Sequence, residues 1–273
     1  MTRTKNYAVH AATVRNYLHK IEQERNIEVV FACESGSRAW GFASNTCDYD
    51  IRFIYVRPQR AYLSLASRRD VIEAKELNIE DKLIDIGGWD ILKCLELASK
   101  SNPQVIEWLN SDLIYYDDVD FTKPLRNIME SYNVRAVMHH YAAHSFRINN
   151  ERAKDTGEKT RVKSYLYTLR TIFMSRLLDK EPHIFPEITM KRLLERLRYD
   201  GDSRQVVPIV EKMVAERLYT PEGYEVDSIP EIEQYIQNSL PLVREMANKA
   251  DDTRRPDLMA LEALSYDTIK RLF

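Results

Sequence analysis

Cysteine, glycine and long hydrophobic runs are scarce in this 273-residue chain, and each scarcity excludes a class of protein. The three cysteines, Cys33, Cys47 and Cys94, are odd in number and lack CxxC spacing, which argues against a disulfide framework and against zinc. No stretch approaches the roughly 18 apolar residues that a membrane span needs. No long apolar run follows the N-terminus, so a secretion signal is not indicated. We expect a cytoplasmic protein without a membrane segment.

Several common catalytic motifs are also missing. The sequence contains no GxxxxGK[ST], HExxH or GxSxG motif, which removes the usual ATPase, metalloprotease and hydrolase interpretations. The formal net charge of -2 carries no general signature of nucleic-acid binding, but residues 134–200 hold fourteen Lys and Arg against eight Asp and Glu. We interpret this local surplus either as a flank that binds a polyanion or as the charged faces of solvated helices.

Hydrophobic periodicity predicts an α+β protein in which a small mixed-sheet domain, residues 1–118, is followed by an all-helical domain, residues 119–273. The predicted strands are 27–33, 48–56, 69–77, 83–86 (ending at Gly87-Gly88) and 113–116. Helices are predicted at 11–24, 89–98, 103–109, 121–132, 134–155, 159–179, 188–198, 206–219 and 229–249, with a turn into a helix at 35–39. Little strand character is found after residue 120.

Two aspartates in one predicted strand are the most informative feature. Asp48 and Asp50 alternate along the strand and so project from the same face. Two unpaired carboxylates side by side repel each other, and a divalent cation, Mg²⁺ or Mn²⁺, would remove that conflict. Asp85 lies in the apolar run Leu83-Ile84-Asp85-Ile86, where an acid without a partner is costly, and is the candidate third ligand and proton acceptor. The structural alternative is that Arg52, on the same face, merely pairs with Asp50.

A glycine-serine pair lies just upstream of these acids. Gly36-Ser37 is predicted at a strand-to-helix turn, where the missing Cβ lets a phosphate approach backbone N–H groups. The Ser37 hydroxyl and the Arg38 guanidinium are candidates for further phosphate contacts. Turn and acids together predict phosphoryl chemistry on a nucleotide, with two metal ions about 4 Å apart.

The spacing Gly36-Ser37, ten residues, Asp48-Tyr49-Asp50 resembles the signature of the DNA polymerase beta nucleotidyltransferase superfamily. Flanking blocks resemble its RNA-repair-pathway branch, which is encoded beside RNA ligases in some bacteria and phages. These blocks, between roughly residues 25 and 200, are 52–58, 85–90, 102–103, 107–109 and 162–170. The resemblance implies metal-dependent transfer of a nucleoside monophosphate from an NTP to an acceptor hydroxyl, with release of pyrophosphate, and a functional link to an RNA ligase. Its catalytic pattern falls on Gly36, Ser37, Asp48, Asp50 and Asp85.

One face of a predicted helix carries Lys163, Tyr167 and Arg170, at i, i+4 and i+7. The two cations are candidates to hold the β- and γ-phosphates while Tyr167 stacks on or positions a base; the alternative is a solvated basic stripe with a half-buried tyrosine. His139, His140 and His144 lack a carboxylate or thiol at metal spacing and are interpreted as helix surface plus one packed histidine.

Trp89 and Trp108 are interpreted as core residues. The acceptor stays open between an RNA end, a small molecule and a protein hydroxyl, and a non-catalytic nucleotide-binding module is a further alternative. Which NTP is used, whether a template is needed and the oligomeric state are not indicated by the sequence.

Overall fold

The computed structural model describes residues 2–65, 69–79, 82–152 and 159–273. Its main sheet contains the strands β1 (Glu28–Glu34), β2 (Tyr49–Val56), β3 (Val71–Ile79), β4 (Lys82–Asp90) and β5 (Ile114–Asp117). Their order is β3-β4-β2-β1-β5, and β2 and β4 run parallel while the other neighbours are antiparallel. The α+β class with a mixed sheet is therefore confirmed.

One long helix precedes the strands, short helices lie between them, and longer helices follow them. The helices are α1 (Thr2–Arg25), α2 (Gly36–Ala39), α3 (Gln59–Tyr62), α4 (Ile91–Ser99), α5 (Pro103–Leu109), α6 (Val119–Met129), α7 (Val134–Arg152), α8 (Val162–Lys180), α9 (Met190–Leu197), α10 (Val207–Arg217), α11 (Pro230–Lys249) and α12 (Leu258–Leu272). Most of the predicted helices are found within a few residues of their expected ends. Within the described residues, none of the helices is long and apolar enough to cross a membrane.

The sheet buries apolar side chains on both faces. One face packs against α1, through residues such as Val14 and Leu18. The other face shares a single hydrophobic core with the helices that follow it, and α8 lies inside that core in contact with α7, α9, α10 and α11. Helix α8 is therefore buried over most of its length, and its buried positions include polar residues such as Thr168 and Arg170 as well as apolar ones. Because this one core joins sheet and helices, a division at residue 118 remains a proposal.

The secondary-structure predictions need correction in several places: α1 begins at Thr2 rather than at residue 11, and α12 was not predicted. The helix predicted over 159–179 begins only at Val162, because Lys159–Arg161 forms a short strand, β6, that pairs with β7 (Glu225–Asp227). That strand could not be predicted locally, since its partner lies more than sixty residues away. Strand β4 does not stop at Gly87-Gly88 but continues through both to Asp90. The predicted end of α7 at 153–155 lies outside the described residues.

Close packing of two strands explains why β4 contains Gly88. A Cβ atom built at Gly88 would lie 2.2 Å from Cζ of Phe53, a fully buried residue of β2. The two residues are directly paired across the β2–β4 ladder. The glycine thus allows the Phe53 ring to lie flat against the neighbouring strand.

Gly88→Ala is expected to destabilise the protein by about 1–3 kcal/mol or more, because the added methyl group must displace a buried ring. The change in the free energy of unfolding is measured by urea denaturation. Gly201→Ala is the matched control, since no atom lies within 4 Å of a Cβ at that position. Equal urea midpoints for the two variants would contradict this account of β4.

Candidate active site

The Gly-Ser turn follows the end of β1, opens α2, and is hydrogen-bonded to the start of β2. Gly36 has φ +60, in the left-handed region that favours glycine. The Ser35 N–H donates to the carbonyl of Asp50 at 2.8 Å, and the Asp50 N–H donates to Oε1 of Glu34 at 2.9 Å. Helix α2 has only four residues and therefore no long helix dipole. The turn can bind an anion only through the backbone N–H groups of this first turn.

The Asp50 carboxylate lies directly against Gly36. A Cβ atom at residue 36 would be 2.1 Å from Oδ2 of Asp50, so no other residue can occupy this position without moving the acid. Burial raises the pKa of Asp50 above its ordinary value; Arg52 opposes this, Asp85 adds to it, and Lys163 opposes it. The predicted proximity of turn and acid is therefore present in the structure.

Asp85 is the direct neighbour of Asp50 on the adjacent parallel strand. Arg52 bridges the two carboxylates, with Nη2 at 2.8 Å from Oδ2 of Asp85 and 3.6 Å from Oδ1 of Asp50. Asp85 thus faces the same side of the sheet as Asp50, as predicted. The arginine that the sequence offered as a partner for Asp50 instead pairs most closely with Asp85.

Asp48 is exposed and precedes the first residue of β2. Its backbone carbonyl accepts a hydrogen bond from Nε of Arg38 at 2.9 Å, while Nη2 of Arg38 donates to the Cys47 carbonyl at 2.7 Å. The Arg38 guanidinium also lies 3.9 Å from the ring centroid of Tyr49. These contacts indicate that Arg38 fixes the segment before β2, rather than being free for the phosphate contact expected of it.

Ser37 also differs from its predicted role. Its side chain is buried, and burial raises the pKa of the Cys47 thiol, whereas Arg38 and the nearby Ser37 hydroxyl lower it. The hydroxyl therefore faces the interior instead of the cavity described below. Any contribution of Ser37 to anion binding would come through its backbone N–H.

The three helical candidates all lie on α8 but have different surroundings. Lys163 pairs with Glu222, and its Nζ is 5.5 Å from the ring centroid of Tyr167. The Tyr167 ring packs edge-on against Trp40, with centroids 5.1 Å apart. Arg170 is buried, with its guanidinium 4.1 Å from the Trp40 ring centroid. Of the three, Lys163 is the one whose charge acts on Asp50.

Glu107 is a buried acid whose importance the sequence did not reveal. Its Oε2 accepts from Nε1 of Trp40 at 3.1 Å, and its Oε1 accepts from the Tyr141 hydroxyl at 2.6 Å. Nη2 of Arg170 lies 3.1 Å from the same Oε1. One carboxylate therefore joins α5, α7, α8 and the residue after α2. A single charged residue in a mostly apolar helix, α5, was the available signal.

A cavity of about 540 Å³ opens between the sheet and the helices. Asp50, Arg52 and Asp85 line one part of it. The rest of its lining includes aromatic and polar residues from both parts of the chain, among them Trp40, Trp89, Gln104, Glu107, Trp108, His140, Tyr141, His144, Tyr167 and Arg170. Four of the predicted site residues do not line this cavity: Asp48, Lys163, Ser37 and Arg38.

The interpretation of Trp108 as a core residue is confirmed, whereas those of Trp89 and of the histidines need correction. Trp89 and Trp108 stack on each other with centroids 3.8 Å apart, and although Trp108 is buried, Trp89 is half-buried and both line the cavity. His140 and His144 also line it and are both half-buried, whereas one packed histidine was expected. His139 is exposed, as predicted.

The oxygen donors of Asp50 and Asp85 suit a hard divalent cation, and the proximity of Arg52 marks their position as one where a positive charge is favoured. Asp48 would have to join them to complete the predicted triad. Over the ranges that the structure describes, three His, Cys, Asp or Glu side chains are not gathered closely enough to hold a metal ion. The chemistry of the donor set therefore fits, while the convergence of all three acids remains a prediction.

A mixed sheet that carries paired aspartates beside a glycine turn is the arrangement expected of a polymerase-beta-like nucleotidyltransferase. The chain belongs to the RNA repair pathway DNA polymerase beta family, whose model matches residues 11–267. This match confirms the family predicted from the sequence motifs. Membership indicates a nucleotidyltransferase-like protein connected with RNA repair, and it leaves the nucleotide, the metal ion and the acceptor open.

The chain is also similar to the uncharacterized protein YcgL of Bacillus subtilis (strain 168). The two are 33% identical over 260 residues, which cover 94% of this chain and 95% of YcgL. A nucleotidyltransferase-like protein from Exiguobacterium sibiricum 255-15 matches 89% of this chain and 74% of its own, with 13% identity and a TM-score of 0.28. That structural similarity is too low to support an argument about function.

The buried acid next to the turn gives the site a measurable pH dependence. Burial raises the pKa of Glu34 from 4.5 to about 7, against hydrogen bonds from Tyr115 and from the Asp50 N–H and the charge of Arg38, which lower it. The folded protein thus holds this proton more tightly than the unfolded chain does. The resulting stability is present below the unfolded pKa and is lost as the pH rises towards the folded pKa.

Glu34→Gln removes this titration while keeping an oxygen for the Asp50 N–H. Relative to the unsubstituted protein, the variant is expected to gain up to about 3 kcal/mol in unfolding free energy as the pH rises from 5 to 8. Urea unfolding at several pH values in EDTA measures the difference in unfolding free energy between the two proteins. Glu130→Gln, at an exposed position, is the control. Parallel pH profiles of Glu34→Gln and the unsubstituted protein would show that Glu34 titrates normally.

Proposed function

We propose that this protein transfers a nucleoside monophosphate from an NTP to an acceptor hydroxyl at an RNA end and releases pyrophosphate. One observation carries the proposal: the Asp50 carboxylate lies against Gly36 of the turn and beside Asp85 on the next strand. A phosphate seated on the turn would therefore be next to the acids. Family membership supports the same chemistry.

In this proposal the acceptor hydroxyl attacks the α-phosphorus, a new P–O bond forms, and the bond to the bridging oxygen of pyrophosphate breaks. Asp85 accepts the hydroxyl proton, and Arg52 holds the Asp85 carboxylate in place through their ion pair. Two Mg²⁺ or Mn²⁺ ions would be held by Asp48, Asp50 and Asp85. When bound, such ions would neutralise charge on the phosphates.

Of the α8 residues, only Lys163 is proposed to act on the phosphates directly. The effect of Lys163 on the pKa of Asp50 supports a position near the path of the triphosphate. Arg170 is engaged by Glu107 and Trp40, so we assign it to positioning the Trp40 ring rather than to a direct phosphate contact. Tyr167, packed against Trp40, belongs to the same support.

The RNA acceptor is supported by the connection of the family with RNA repair and by the basic surplus of residues 134–200. A functional link to an RNA ligase follows from the same resemblance. A transient complex between RNA and exposed basic residues of this segment should weaken steeply as the salt concentration rises, because binding releases counterions from the phosphates.

Asp48→Asn and Asp50→Asn are each expected to reduce transfer by about 10³-fold or more, because charge stabilisation worth several kcal/mol in the transition state is lost. Purified protein is incubated with α-labelled NTP, a divalent ion and RNA, and the label on RNA is measured. Asp267→Asn, an exposed aspartate of α12, serves as control. Unchanged labelling in both site variants would reject the proposal. If the label appears on a small molecule or on protein, that molecule replaces RNA as the proposed acceptor.

Gly36→Ala, compared with Gly41→Ala, separates the effect of a contact with Asp50 from the effect of strain in a left-handed backbone. The added Cβ meets the Asp50 carboxylate, so transfer is expected to fall at least about 10²-fold. Gly41→Ala is the matched control, because Gly41 also has a left-handed φ of +79 but its nearest neighbouring atom is 3.9 Å away. Both variants should lose about 1–2 kcal/mol of stability. If Gly41→Ala reduces transfer as much as Gly36→Ala, the contact with Asp50 is not the cause.

A further inference from the structure

The part of the cavity away from the aspartates has no role in phosphate transfer as proposed. Its lining includes Trp89, Gln104, Trp108, His140 and His144. The residues come from β4 and α5 on one side and from α7 on the other. These five side chains are aromatic or polar and uncharged at neutral pH, while Glu107 and Arg170, which also line the cavity, pair with each other.

The two histidines are the most informative members. They lie one turn apart on α7, with ring centroids 6.3 Å apart, and both are half-buried. In the part of the chain that the structure describes, no protein group forms a hydrogen bond with the ring nitrogens of either residue. Burial lowers the pKa of both rings, that of His144 to about 4 with further lowering by Arg147 and His140. Each neutral ring then offers one donor and one acceptor.

A flat apolar surface faces the same space. Trp108 is buried and stacks on Trp89, which keeps part of its ring exposed to the cavity. Gln104, exposed at the first turn of α5, adds an amide with both donor and acceptor capacity. A planar ligand with hydrogen-bonding edges matches this combination, because stacking tolerates any aromatic face and neutral groups read the edge.

We propose that this end of the cavity is a nucleobase site, in which a base lies against the Trp89–Trp108 pair and its edge is bound by His140, His144 and Gln104. The inference rests on the proposed function, since the base belongs to a nucleotide whose phosphate reaches Asp50. That nucleotide is either the incoming NTP or the terminal nucleotide of the acceptor. Both present the same chemistry to the site.

The alternative of a metal ion on the two histidines is weaker. The spacing i, i+4 would suit two ligands, but no third His, Cys, Asp or Glu side chain joins them within the described ranges. Glu107, the nearest acid named above, is already bound by Trp40, Tyr141 and Arg170. Unused imidazole nitrogens are thus better matched to a base edge.

The chain contains an internal reporter of this site. It has three tryptophans, Trp40, Trp89 and Trp108, and all of them line the cavity. Fluorescence excited at 295 nm, corrected for absorbance, therefore follows a base that stacks there. The probes are adenosine, guanosine, cytidine and uridine, with ribose 5-phosphate as a probe that has no base, all in EDTA. Saturation-transfer NMR on the same nucleosides provides a second measurement.

We expect at least one nucleoside to quench the fluorescence saturably, while ribose 5-phosphate does not. His140→Ala and His144→Ala should each weaken that binding about tenfold, the equivalent of one lost hydrogen bond. His144→Asn, which keeps a donor and an acceptor, should recover part of it. His139→Ala, on the exposed side of α7, is the matched control and should bind as the unsubstituted protein does. Thermal unfolding verifies that each variant is folded.

Two further arms identify the source of the base. If His144→Ala weakens binding of an NTP but not of a short RNA, the site holds the incoming nucleotide; the reverse result assigns it to the acceptor end. Absence of quenching by all four nucleosides, equal quenching by ribose 5-phosphate, or affinities unchanged in both histidine variants would overturn the proposal. These readouts need no transfer, so nucleoside binding without labelling of an acceptor would reject the proposed function alone.

Discussion

The parallel pairing of β2 with β4 is the constraint on which the site depends. The chain leaves β2, forms β3 at the edge of the sheet, and returns as β4 between the two. This order places Asp85 beside Asp50, although the two are far apart in sequence. Gly88 permits the close approach of the strands at Phe53, and Gly36 permits that of the turn to Asp50. The absence of two side chains is thus as important as the presence of the acids.

Buried carboxylates hold the surroundings of this pair in place. Glu34 accepts the Asp50 N–H and the Tyr115 hydroxyl, which ties the turn to both neighbours of β1. Glu107 does the same between Trp40 and the helices α7 and α8. Buried acids are costly unless their oxygens are satisfied, and here each oxygen has a partner. These interactions connect the end of the cavity that holds Asp50 with the end that holds Trp89 and Trp108.

Sequence reasoning was most successful where the signal is local. The alternation of Asp48 and Asp50 and the apolar run around Asp85 predicted the strands, and the motif spacing predicted the family. It failed where a residue's partner is remote. The contacts of Arg38 with the Cys47 and Asp48 carbonyls, the burial of Ser37 and the short strand β6 each depend on groups from other segments. Trp89 was interpreted as a core residue and the histidines as helix surface plus one packed side chain, because hydrophobicity alone does not reveal a cavity.

By itself the sequence determined the α+β class, most helices and strands and the family, and it singled out Asp48, Asp50 and Asp85 as candidates, because periodicity and motif spacing are properties of neighbouring residues. Only the tertiary structure decided that Arg52 bridges Asp50 and Asp85, that Glu107 joins four elements, and that all three tryptophans line one cavity. Such contacts arise when strands and helices distant in the chain pack together. Their geometry follows from the packing of the whole core, which no single segment encodes.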